Sequence, residues 1–175
     1  MKRLHIREIL EIVALGLLIF VGFRFILQSY QINTPAMEPA LSTNTSVLVN
    51  KVAYVFRGPE RGDVVVFRYP RNPDIELIAR VIGLPGDTIK VNSQQIWVNG
   101  KELKEPYVKD ATNPIAKTWK VPANQYFVMG DNRSLSNDSR RWDFLPSGYI
   151  VGKAVVVYWP FSQWQIVNSY SDTYR

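Results

Sequence analysis

The sequence predicts a mostly β protein. A single N-terminal transmembrane helix should lead into an antiparallel, barrel-like β body that carries a smaller, loop-rich β subdomain. Three observations point there. One long apolar run stands near the N-terminus. From residue 42 onward, short β-branched or aromatic runs alternate with Gly and Pro, which is strand-and-turn patterning. No helical periodicity of useful length follows Ile32.

The helix comes first. Residues 1–8 form a basic leader with Lys2, Arg3 and Arg7, and residues 9–30 form the expected anchor. Glu11 and Arg24 bracket an uncharged stretch, residues 12–23. A helix from Ile9 to Tyr30 would be about 33 Å long at about 1.5 Å per residue, enough to cross a bilayer. Arg24 can snorkel to the interface. The short uncharged stretch also suits a signal-peptide core, but Phe23-Arg24-Phe25-Ile26-Leu27-Gln28 offers no small-x-small cleavage site, which favours an uncleaved anchor. A buried core helix is the third reading, and the basic leader counts against it. That leader sets residues 1–8 on the cytoplasmic side and residues 31–175 on the other.

Residues 34–41, Thr34-Pro35-Ala36-Met37-Glu38-Pro39-Ala40-Leu41, follow directly. Two prolines so close forbid a regular helix, because each fixes φ and removes a donor. The expected element is a taut loop beside the membrane that presents one small side chain, Ala36. Beyond it, Val47-Leu48-Val49, Val64-Val65-Val66-Phe67, Leu77-Ile78, Val81-Ile82 and residues 150–159 read as strands. Residues 95–103 read as a hairpin, since Asn99-Gly100 suits the two positive φ values of a type I′ turn. The polar stretch 104–120 lies inside the expected accessory subdomain, residues 92–122.

Composition excludes several chemistries. The chain has 175 residues, net charge +6 and no Cys, and its only His is His5. Disulfides, thiolate catalysis, Cys-based metal sites, the Ser-His-Asp triad and the two-His zinc motif are therefore ruled out. No metal or cofactor is implied. Basic residues are interspersed with carboxylates rather than massed in a patch, so no nucleic-acid footprint is expected. The excess charge suits anionic lipid better.

Three islands could carry chemistry. They are residues 34–41; Arg61-Gly62-Asp63 together with Ile78-Ala79-Arg80-Val81-Ile82-Gly83-Leu84-Pro85-Gly86-Asp87; and Gly130-Asp131-Asn132-Arg133-Ser134-Leu135-Ser136-Asn137-Asp138-Ser139-Arg140. Taken singly, each reads better as a turn or a solvated loop than as a site. Taken together and in this order, they resemble the conserved blocks of the type I signal peptidases, membrane-anchored serine endopeptidases that remove signal peptides from preproteins. The resemblance covers the anchor and essentially the whole β body.

That resemblance implies a Ser nucleophile and a neutral Lys base. A Ser hydroxyl is weak until a base takes its proton, and Lys serves near neutral pH only where burial lowers its pKa. Here the nucleophile position falls on Ala36 and the base position on Ala79, so both reactive groups are replaced by methyls. Ser42, Lys51 and Lys90 lie elsewhere and do not substitute. The resemblance also assigns Thr34 and the Ala36 amide to an oxyanion hole, Ser136 to orienting the lysine amine, and Asp138 and Arg140 to a bracing ion pair. Arg80 is a candidate third member of that pair, and Met37 would line a membrane-facing lip. Ala40 departs from the usual Thr of the first block. Expected partners are signal peptides and the lipid bilayer, in a plasma or thylakoid membrane. Ile32, Met37, Trp97 and residues 142–144 are candidates to rest on that bilayer. The paired alanines fit two origins: replacement in an active peptidase, or a non-catalytic relative of the kind that assists surface assembly with secreted or pilin subunits.

Overall fold

A computed structural model describes residues 6–109 and 115–170. Part of the basic leader and the middle of the 104–120 stretch lie outside the described residues. The first element, α1, is Ile6–Ile26. Its 21 residues make a rod of about 31 Å. It is long and apolar enough to cross a membrane, and none of its residues is buried against the body.

The helix is shorter than the sequence suggested at its C-terminal end. Leu27–Ile32 is strand β1, not a last helical turn. Pairing decides this. β1 lies antiparallel on β2, Thr45–Asn50, from Leu27 opposite Asn50 to Ile32 opposite Thr45. The ladder satisfies backbone groups that a helix end would leave open.

The remaining strands are β3 (Val64–Tyr69), β4 (Asn72–Gly83), β5 (Thr88–Val91), β6 (Ile96–Val98), β7 (Lys101–Glu102), β8 (Lys117–Lys120), β9 (Gln125–Met129), β10 (Leu145–Pro146), β11 (Ile150–Trp159) and β12 (Gln165–Ile166). A short helix, α2, spans Ser139–Trp142. The larger sheet has the order β1-β2-β11-β3-β4-β9-β10, with β12 on β11. Its described pairings are all antiparallel. Register shifts interrupt β11, β3–β4 and β4–β9, and such bulges bend and twist a sheet. β1 and β10 are the edges.

The smaller sheet, β7-β6-β5-β8, is the accessory unit. It begins at Thr88, ahead of the expected boundary at 92, because β5 pairs with both β6 and β8. The Asn99-Gly100 turn joins Val98 to Lys101, with φ of 52° and 82°. Three apolar clusters fill the body. One gathers Ile32, Met37, Leu41, Val64, Val66 and Ile78. A second joins Ile82, Phe127 and Met129 to the small sheet. A third holds Val65, Ala79, Val81, Val128, Trp142 and Leu145.

Candidate active site

The proline-rich loop follows β1 as a single 3-10 turn, Pro35–Met37. Thr34 is extended at its start, and its side chain makes no capping hydrogen bond. The loop is pinned from several sides. The Leu41 amide donates to the Met37 carbonyl at 2.9 Å, and the Asn44 amide to the Ile32 carbonyl at 2.8 Å. Glu38 accepts from the Thr43 hydroxyl at 2.8 Å. Gln165 donates to the Ala40 carbonyl at 3.1 Å. The Asn132 amide donates to the Ala36 carbonyl at 3.0 Å, which ties this loop to the segment after β9.

Ala79 lies on β4, which pairs with β9 next to that segment. On β4 and β9, Val81 faces Val128 and Arg80 faces Met129. One further step along both chains puts Ala79 across from Gly130, and directly opposed residues share a face. On that face a Cβ at Gly130 would lie 2.5 Å from the Ala36 carbonyl oxygen and nearer still to Ser136 Oγ. Gly130 is thus the residue whose missing side chain lets the Ala36 carbonyl and Ser136 close on the end of β9. Sequence reading passed over it as part of a Gly-Asp turn.

Ala79 itself is buried among Val65, Val128, Trp142 and Leu145. Ser136 Oγ accepts from the Gly130 amide at 3.1 Å, and so does Asp138 Oδ2 at 3.0 Å. Asp138 is fully buried and grips Arg140 by two hydrogen bonds, Nε to Oδ1 at 2.9 Å and Nη2 to Oδ2 at 2.8 Å. It also caps α2 through the Arg140 amide at 3.1 Å. Arg140 reaches on to the Arg133 carbonyl at 2.7 Å.

Arg80 does not join this pair. Its neighbours on β4 point to the other face, and its carboxylate partner is Asp131, at 2.9 and 2.6 Å. It also donates to the carbonyls of Gly62 and Asn168 and lies 4.2 Å from the Tyr107 ring centroid. Burial is the largest influence on Asp131 and raises its carboxyl above the ordinary range, against the opposing hydrogen bonds and charge of Arg80. A further buried pair, Arg133 with Glu105, also escaped the sequence reading. Arg133 donates to the Gly130 carbonyl at 3.0 Å, so it steadies the same residue.

Two expectations about the membrane face are corrected. Met37 is fully buried, packed in the cluster that holds Ile32, Leu41 and Ile78. The turn directs it inward while the Ala36 carbonyl lies at the opposite face. Ile32 and Trp142 are buried too, and Trp142 packs at 5.9 Å from Phe67. None of these three can lie on a bilayer. Large exposed apolar side chains of the body occur instead at Val52, Val55, Phe56, Ile75, Leu135, Tyr158, Trp159, Phe161, Trp164 and Ile166.

The lysines considered as substitute bases lie apart. Lys51 sits in the turn after β2, and Lys90 lies over Trp97 on the small sheet. Lys153, which the sequence reading did not weigh, pairs across β11–β3 with Val65, the residue opposite Ala79. Its ammonium is committed to Asp63. A cleft of about 420 Å³ opens beside the loop, lined by Glu38, Pro39, Ser42, Lys109, Asp131 and Asn132.

Residues 5–159 match the family model described as signal peptidase, peptidase S26. The chain is 35% identical over 164 residues to a signal peptidase I from Leptolyngbya laminosa, covering 89% of this chain and 81% of that one. It is 35% identical over 183 residues to signal peptidase IB of Staphylococcus aureus strain COL, covering 94% and 95%. Among solved structures, a signal peptidase I from Enterococcus faecalis aligns at 31% identity with a TM-score of 0.48, over 57% of this chain and 98% of that one.

Proposed function

The chain belongs to the signal peptidase, peptidase S26, family, and from that membership we propose that it carries a type I signal peptidase site that engages signal-peptide segments without cutting them. The observation that carries this reading is the convergence at Gly130. Ser136, Asp138 and the Ala36 carbonyl gather at Gly130, which supports placing the family's Ser/Lys dyad at Ala36 and Ala79, where this chain has methyl groups.

In the active form of the site, Ser at position 36 attacks the scissile carbonyl. Lys at position 79 takes the hydroxyl proton. The apolar cluster around Ala79 suits that base, because it would hold the amine neutral by desolvation. Ser136 Oγ orients the amine. Thr34 Oγ1 and the amide of residue 36 receive the developing oxyanion. Asp138 and Arg140 hold the segment carrying Ser136 against β9. The substrate lies extended along an open sheet edge, and β1, which leads straight into the loop, is one such edge. Small pockets on either side of the loop select small residues one and three positions before the cut.

A methyl group neither attacks a carbonyl nor accepts a proton, so this sequence has no dyad to start the reaction. Loss of one dyad member costs orders of magnitude, and loss of the second adds little because the two act as a unit. The apolar α1 anchors the protein in the plasma or thylakoid membrane, with the basic leader on the cytoplasmic side and the β body on the other.

The test is the paired substitution Ala36→Ser with Ala79→Lys, assayed on a preprotein beside each single change. Cleavage by the double variant alone is the expected result. No cleavage, with peptide binding retained, would overturn the disabled-peptidase reading and favour a non-catalytic homologue that holds secreted or pilin subunits for assembly.

A further inference from the structure

The turn after β2 carries an exposed apolar tip that the proposed function leaves unused. Phe56 is 99% exposed, and Val52 and Val55 are 43% and 62% exposed. The tip is firmly built. Asn50 Oδ1 accepts from the Val52 amide at 3.0 Å, and the Val55 amide donates to the Val52 carbonyl at 3.2 Å. The Tyr54 hydroxyl donates to Asp63 at 2.9 Å, behind the turn, where Lys153 also pairs with Asp63. Burial, with the Asp63 charge beside it, raises the Tyr54 phenol far above its ordinary range, so this brace keeps its proton throughout the working pH range.

Three apolar side chains exposed together on one ordered turn make that turn a candidate contact site. The partner is indicated by position. The Lys51 amide donates to the carbonyl of Ile26, the last residue of α1, at 2.8 Å. The turn therefore starts at the point where the helix leaves the hydrocarbon, and Phe56 is only five residues further on. Exposed basic side chains flank the tip: Lys51 on one side and Arg57 on the other, the latter shared with Glu60 at 2.9 Å. Apolar residues between basic ones match the boundary between acyl chains and headgroups. The larger apolar edge at Trp159 lies at the other end of β2, where Trp159 pairs with Ser46.

We propose that residues 51–57 are a second membrane contact, in which Val52, Val55 and Phe56 enter the interfacial layer of the leaflet from which α1 emerges. This rests on the reading of α1 as a membrane anchor. Such a contact fixes the rotation of the β body about the helix, and so the height of the Ala36 loop above the bilayer.

The absence of Cys allows a clean test. Full-length variants Phe56→Cys, Leu17→Cys and Gln94→Cys are each labelled with an environment-sensitive fluorophore and placed in phosphatidylcholine–phosphatidylglycerol vesicles. Lipid-borne nitroxide and aqueous iodide serve as quenchers. The expected result is a blue shift and nitroxide quenching at positions 17 and 56, with iodide quenching at 56 falling well below that at 94. Nitroxide quenching at 17 with full iodide access at 56 would overturn the proposal while leaving the anchor intact. No nitroxide quenching at either position would remove the anchor and the proposal together.

Discussion

Asp138→Asn is the sharpest probe of the site's bracing. Asp138 accepts four N–H groups. Oδ1 takes the amide and Nε of Arg140, and Oδ2 takes the Gly130 amide and Arg140 Nη2. An amide side chain supplies one oxygen and one NH2, so in either orientation two donors would face a donor. The pair is almost wholly enclosed, with side-chain exposures of 3% for Arg140 and 0% for Asp138. Removing one partner of such a pair leaves a buried charge uncompensated and costs about 3–5 kcal/mol. At a urea slope of about 1–3 kcal/mol per molar, the midpoint should fall by more than about 1 M. The control is Glu60→Gln, which breaks the exposed Arg57 pair and should cost less than about 1 kcal/mol. Trp fluorescence of the detergent-solubilised chain follows both, since Trp142 packs at the end of α2. Equal, small shifts for the two variants would refute the claim that the buried pair holds the Ser136 segment in place.

Three further outcomes are expected. Gly130→Ala puts a Cβ 2.5 Å from the Ala36 carbonyl oxygen and should lower stability by about 1–3 kcal/mol, whereas Gly148→Ala, with no atom within 4 Å, should stay within about 0.5 kcal/mol; urea midpoints measure both. Met37→Ala should cost about 2–5 kcal/mol in the same assay, because Met37 is core rather than surface. Burial opposes ionisation of Asp87, but the Leu84 amide at 2.7 Å, Arg61 at 2.9 Å and Asn99 at 2.7 Å outweigh it and hold its carboxyl below the ordinary range. A depressed folded pKa means stability that is present above the unfolded value and lost as pH falls through the folded one. Asp87→Asn should therefore flatten the loss of stability below about pH 4, read as urea midpoints at stepped pH.

The fold was legible where the signal is local. Short β-branched or aromatic runs gave β2, β3, β4 and β11, and Asn99-Gly100 gave the hairpin, because each rests on the preferences of a few adjacent residues, whereas β5, β8 and β9 were not read. The C-terminal end of α1 was not legible. Leu27-Gln28-Ser29-Tyr30 continues an apolar run as well as it starts a strand, and only the ladder to β2 decides between them. The same limit applies to Met37, whose burial depends on which way a three-residue turn faces.

Arg80 is different, because the sequence held the answer. Adjacent residues on a strand point to opposite faces. If Ala79 faces Ser136, then Arg80 must face away, and the pair braced beside Ser136 cannot be its partner. Of the two aspartates in the Gly130–Arg140 segment, that leaves Asp131, which lies two residues beyond Met129, the residue paired with Arg80. The buried cation on β4 therefore belongs to the wall behind the site. It ties β4 to the segment after β9 and, through the Asn168 carbonyl, to the chain beyond β12. Ala79 stands on the face opposite Arg80, held by its pairing with Val65 and by the apolar cluster around it. A Lys introduced at position 79 should then project from the same face of β4 as Ala79.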